Sequence, residues 1–172
     1  MNVLIFMKRL PLILCVAVAL LGGCKGKPKE ISKADQLQAE NFVSEAQFSM
    51  QIREYSRAEE LYKKAIALHE DYPEYWVALG MSCRRQDNKD GARKAYKKAM
   101  GLIDDRYKSE KDEKDLGQKA WVMALLGNTD EAVKFLQKSL KEHPDSAYLQ
   151  KMADPRGLPH TFQTADFKEL ML

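Results

Sequence analysis

The sequence predicts an all-α protein assembled from about three stacked helix–turn–helix units. Three observations predict it. Ala58, Tyr62 and Ala65 recur as Ala92, Tyr96 and Ala99, each displaced by 34 residues, and a fixed period of that size marks a repeat architecture. From residue 37 onward apolar side chains return every three or four positions, the spacing of a helix face. Leu, Ala, Lys, Glu, Gln and Met are plentiful, whereas Gly (9) and Pro (6) are few, which favours helix over strand.

At 172 residues the chain is long enough for one domain with its own core. Its formal charge is +3, two of the positives being Lys8 and Arg9, so the part after residue 23 carries only +1. A near-neutral body of mixed-sign charge excludes an electrostatic case for nucleic acid. The three cysteines, Cys15, Cys24 and Cys83, form no CxxC pair and no Cys/His cluster, so no zinc site is expected.

Residues 1–23 have the parts of an export signal. Lys8 and Arg9 precede the apolar run LPLILCVAVALLGG, which is shorter than the roughly 20 residues of a stable membrane span. Leu21, Gly22 and Gly23 before Cys24 resemble the bacterial lipobox. That resemblance implies a diacylglyceryl group on Cys24, cleavage before it, and N-acylation of the new amine. Two or three acyl chains anchor durably where one does not. The alternative is an uncleaved anchor helix with a chance cysteine. Residues 24–38 are then the lipidated cysteine and a flexible tether, since KGKPKEISKADQ is polar and lacks apolar periodicity. Lys25, rather than Asp, after the cysteine resembles lipoproteins sent to the outer membrane.

The repeated stretch divides into units at 39–72, 73–106 and 113–146, with YKSEKD at 107–112 as an insertion. Trp76, Leu79, Gly80, Ala92, Tyr96 and Ala99 of the second unit resemble the tetratricopeptide repeat pattern. Phe42 and Ala46 stand in the Trp and Gly places of the first unit. The third carries Ala120, Gly127, Ala132 and Pro144, but has Leu116, Leu136 and Ser139 where aromatics and a last alanine often stand. The resemblance implies a short right-handed α-solenoid of about three units with a C-terminal capping helix. Small residues then let helix backbones approach, and Trp76, Tyr62, Tyr96 and Phe42 fill the wider gaps as core. Cys83 reads as a small core hydrophobe. Turn chemistry falls at Asp87-Asn88 and at 127–130, with Thr129 as an N-cap.

No constellation for catalysis emerges. His69, His143 and His160 are far apart, and the first two fall near helix ends, where a positive imidazole complements the helix dipole. KDEKD at 111–115 interleaves acids with lysines and reads as a solvated helix start. No glycine-rich phosphate loop or GxSxG is present. The resemblance implies instead a concave groove lined by the first helix of each unit. On that register the groove carries Gln47, Met50 and Gln51, then Val77, Met81, Arg84 and Arg85, then Trp121 and Leu125. Met81 and Trp121 offer apolar contact, and the two arginines can donate to carboxylates. Alternatively, Trp121 packs on the next helix and the arginines are solvated. The residues expected in clamps for chaperone-tail carboxylates are absent.

Residues 147–172 are expected to cap the array, with Tyr148, Leu149 and Met152 inward. Beyond Pro155, Thr164 is placed to N-cap a short turn carrying Phe167, Leu170 and Met171, and this oily end is expected to dock on the array or on a partner. The expected function is a non-enzymatic scaffold, lipid-anchored through Cys24 to a bacterial membrane, the outer one facing the periplasm. It would bind a protein or peptide segment of another envelope protein in assembly of an outer-membrane, pilus or secretion complex. No cofactor beyond the lipid, no nucleic acid and no small-molecule substrate are expected. Self-association and service to a cell-wall enzyme are the alternatives. MNVLIF places apolar residues before the basic pair, whereas a start at Met7 gives an ordinary signal, MKRLPLILCV. Mapping the translation start should place initiation at Met7; initiation at Met1 alone would reject this.

Overall fold

The structure is a computed structural model that describes residues 31–172. The signal segment, Cys24 and the first part of the tether lie outside the described residues. Within the described residues the chain forms α1 (Lys33–Gln51), α2 (Tyr55–Leu68), α3 (Pro73–Arg85), α4 (Lys89–Glu110), α5 (Glu113–Leu125), α6 (Thr129–Glu142), α7 (Ala147–Ala153), α8 (Leu158–Thr161) and α9 (Ala165–Lys168). Helices α1 to α6 pack as the pairs α1–α2, α3–α4 and α5–α6. Each second helix also contacts the first helix of the next pair, and α7 covers α5 and α6. This is the helical solenoid that the period predicts.

Helix α1 starts earlier than the first unit was expected to, inside the stretch read as tether. Ser32 caps it, its hydroxyl accepting from the Asp35 N–H at 3.0 Å. The insertion at 107–112 does not form a loop. Most of it extends α4 to Glu110, Lys111 then stops the helix in the left-handed region (φ 57°), and Asp112 caps α5. Asn88 caps α4 by accepting from the Gly91 N–H at 2.9 Å, after Asp87 at φ 59°. At α6 the expected cap shifts by one residue. Gly127 takes φ 93°, Asn128 holds the cap position without a side-chain bond, and Thr129 is already helical.

The core repeats with the units. Ala46, Gly80 and Ala120 are buried on the first helices, as are Ala58, Ala92 and Ala132 on the second. Tyr62 and Tyr96 are buried on α2 and α4, and Leu136 takes the same place on α6. Phe42 and Trp76 are only half-buried at the rim of this core; the Trp76 indole N–H donates to the Glu70 carbonyl at 2.8 Å. Cys83 is a free, buried thiol whose pKa burial pushes up to about 11, which leaves it neutral and inert near neutral pH.

Polar side chains tie consecutive units together. The Gln86 amide at the end of α3 donates to Glu59 at 2.6 Å and accepts from the Ser56 hydroxyl at 2.7 Å, both on α2. Between the second and third units, Arg106 of α4 donates through Nε to Asp115 at 2.9 Å and through Nη2 to Glu74 at 3.0 Å and Gln118 at 2.7 Å. Asp115 is 2% exposed. It lies in the run expected to be a solvated helix start, and the structure corrects that reading. α4 is long enough to bring Arg106 over the first turn of α5, and the carboxylate buries against it.

Gly80 and Gly117 test the packing. A Cβ at Gly80 would collide with the fully buried Tyr96 ring, which cannot move aside. A Cβ at Gly117 would meet only the hydroxyl end of Tyr148, a half-buried ring able to swing outward. Alanine gains about 1 kcal/mol over glycine in a helix, whereas overpacking costs about 1–3 kcal/mol or more. Gly80→Ala should lower unfolding free energy by about 2 kcal/mol, and Gly117→Ala should be within about 1 kcal/mol of wild type. Denaturant titration of both variants checks the order.

Candidate functional site

The first helices α1, α3 and α5 present one shared face, and the structure divides it into two halves of different chemistry. Between α1 and α3 lies an open hollow of about 400 Å³. Glu40, Val43 and Gln47 line it from α1, and Tyr75 and Ala78 from α3, with Glu74 at the start of α3. His69, Tyr72 and Tyr75 form an aromatic cluster along its edge, with ring centroids 4.6 to 5.9 Å apart. Burial raises the pKa of both tyrosine hydroxyls, and the charges of Glu74 and Glu40 raise them further. The hollow is thus electronegative and aromatic, a surface suited to a cationic or amide-bearing side chain.

The other half, over α3 and α5, is covered by residues 158–172 of the chain itself. Thr164 caps α9 by accepting from the Phe167 N–H at 3.3 Å, as its position in the sequence predicts. This turn places Phe167 against Trp121, with ring centroids 4.8 Å apart, and Phe162 packs on both at 5.0 and 6.2 Å. Phe162 and Phe167 are each 3% exposed. The Tyr96 hydroxyl donates to the Leu170 carbonyl at 3.0 Å, and Arg84 Nε donates to the Met171 carbonyl at 2.5 Å. The Leu172 N–H donates to the Leu125 carbonyl at 3.0 Å, and Arg85 pairs with the Glu169 carboxylate.

Two family models, both described as tetratricopeptide repeat, match residues 49–105 and 118–146, together half of the chain. The chain is a tetratricopeptide repeat protein. No curated protein and no solved structure matches it. Tetratricopeptide repeats serve as protein-binding scaffolds, so this one is a protein-interaction module.

The tetratricopeptide register brings the predicted groove residues onto one face but not into one site. Gln47 lines the open hollow. Met50 and Gln51 sit at the end of α1, in a recess shared with Arg85, Asp166 and Glu169. Val77 and Met81 are half-buried and packed on the core. Arg84, Arg85 and Trp121 are engaged by the tail. Leu125, expected as an exposed groove contact, is fully buried along with Ala124 and Gly117. The third unit lies beneath the tail and α7, so its inward face becomes interior. Glu40, Tyr72, Glu74 and Tyr75 were not singled out from the sequence, and His69 was read there only as a helix-end imidazole. His69 and Tyr72 belong to the connection between units, where the repeat pattern carries no signal; a cluster of three aromatic rings within seven residues was the available clue.

His143 closes α6 and approaches Glu113 at 3.2 Å and the Tyr107 hydroxyl at 3.4 Å, a bonded position beyond the helix-end role expected for it. Arg106 anchors the open hollow from behind, because its partner Glu74 is one of the hollow's two acids. Partial burial alone would lower the Arg106 pKa; hydrogen bonds and charge from Asp115 and Glu74 more than reverse this and raise it. Removing one partner of a buried pair leaves the other uncompensated, at a cost of about 3–5 kcal/mol. Arg106→Met should therefore destabilise by about 3 kcal/mol, whereas Asp115→Asn, which removes the buried charge itself, should cost less than half as much. Chemical denaturation of the two variants measures the difference.

Proposed function

We propose that this protein is a non-catalytic adaptor of the bacterial envelope. A diacylglyceryl and N-acyl lipid on Cys24 holds it at the outer membrane facing the periplasm. There it binds a segment of another envelope protein during assembly of an outer-membrane, pilus or secretion complex. The signal-like segment 1–23 and the LGGC sequence support the anchoring. The observation that carries the binding role is the open hollow between α1 and α3, where an acidic, aromatic concavity of repeat helices faces outward.

A second reading, self-association, is favoured by one observation. Phe48 on α1 and Ile52, which caps that helix, are one turn apart and are 58% and 47% exposed. Adjacent exposed apolar side chains at one helix end are a place where a second copy could pack.

Cys24→Ala should leave the helical signal and melting temperature unchanged but release the protein from the membrane fraction. Retention of the variant in the lipid phase would reject the anchoring. Crosslinked capture with the lipidated chain should recover a defined envelope protein, and Val43→Lys in the hollow should cut its yield at least about tenfold, because it opposes the cationic segment that an acidic hollow favours. Unchanged capture by that variant would move the partner site elsewhere, and a concentration-dependent mass abolished by Phe48→Glu would favour self-association.

A further inference from the structure

The covered half of the face is built from groups that recognise a segment in general, and not this tail alone. Tyr96, Arg84 and Leu125 all bond to the tail's main chain, and main-chain groups are offered by any segment of the right shape. Side-chain selectivity comes from two features. Trp121 receives the aromatic pair Phe162 and Phe167, and Arg85 receives the Glu169 carboxylate.

Apart from the buried Phe162 and Phe167, the tail has little structure of its own. Its helices α8 and α9 have four residues each, too short to persist alone. Pro155, Gly157 and Pro159 lead into it. Glu169 is 61% exposed, and Leu170, Met171 and Leu172 remain half-buried. Elements of this kind open locally at lower free energy than the core.

We infer that the covered half is a second binding site, and that residues 158–172 are its built-in competitor. Its occupant is a segment of another protein presenting two aromatic side chains five residues apart, followed two residues later by a carboxylate. The aromatic pair meets Trp121, the carboxylate meets Arg85, and the main-chain carbonyls meet Tyr96 and Arg84. Charge separates the two halves: Arg85, which pairs with a carboxylate of the tail, disfavours a cationic segment here, whereas Glu40 favours one in the open hollow, Arg84 and Glu74 being paired with Asp87 and Arg106. While the tail is docked, a partner's apparent affinity falls by the fraction of molecules whose site is open. The inference rests on the reading of the chain as a protein-binding module, and its test does not depend on the membrane anchor.

The experiment uses the full chain in detergent micelles and, as probe, a fluorescent peptide with the sequence of residues 158–172. By anisotropy, the Phe162→Ala/Phe167→Ala chain should bind the peptide at least about tenfold more tightly than wild type, because its own tail no longer competes. Adding Arg85→Glu to that chain should weaken binding, and a peptide carrying Glu169→Lys should restore it. Equal affinity for both chains, absence of saturable binding, or failure of the charge-reversed pair would overturn the inference.

Should the double variant unfold, amide hydrogen exchange on wild type decides. The Leu172 amide should exchange at least about a hundredfold faster than that of buried Ala99 through local opening, and equal protection would make the tail a permanent part of the core. A dimer of wild type that vanishes in the Phe162→Ala/Phe167→Ala chain would assign the occupant to a second copy and overturn the partner named here. Failure in any of these arms leaves the Cys24 fractionation and the Val43 capture unaffected.

Discussion

The structure turns on one contact, the Tyr96 ring laid against Gly80. A tyrosine is fully buried at the centre of the second unit only because α3 carries no side chain at that point. The helices therefore meet through an aromatic ring on one side and bare backbone on the other, which fills the gap at interior density. The ring is also long enough to deliver its hydroxyl to the far side of the contact, where it finds the Leu170 carbonyl. The residue that closes the core of the second unit therefore also holds the tail. A buried tyrosine hydroxyl needs a partner, and the tail supplies it.

Around that unit the two flanking interfaces are polar where a hydrophobic repeat pattern would suggest only apolar contact. Gln86 fastens α3 to α2, and Arg106 fastens α4 to both α3 and α5. The Arg106 network has a functional side. It orients Glu74 at the rim of the open hollow while neutralising Asp115 behind it. The shared face carries acids at the start of α3 and arginines at its end. The tail's Glu169 pairs with Arg85 at that end, so charge and covering agree.

Several features were legible in the residues because they depend on neighbours three to four apart or on a fixed period. The alternation of Ala46, Gly80 and Ala120 with Tyr62 and Tyr96, the burial of Cys83, the Thr164 cap and the inward Leu149 all follow from helix geometry and sterics. The family matches at 49–105 and 118–146 rest on that same periodic signal. The misreadings share a different cause. Asp115 looked solvated because its lysine neighbours in sequence point elsewhere in space, and its partner Arg106 sits on another helix. Leu125 looked exposed because the register of one unit says nothing about what lies over it.

The sequence by itself determined the repeat, its helical class and the inward side of each helix, since these are local consequences of residue size, polarity and spacing. Only the tertiary structure decided which part of the concave face stays open. That outcome depends on two long-range events, the extra length of α4 that sets Arg106 over Asp115 and the return of residues 158–172 across α3 and α5. Both bring together groups far apart in the chain, such as Arg84 with Met171 and Tyr96 with Leu170. Pairings at such separation are settled by packing of the whole array, where burial and charge outweigh any local preference.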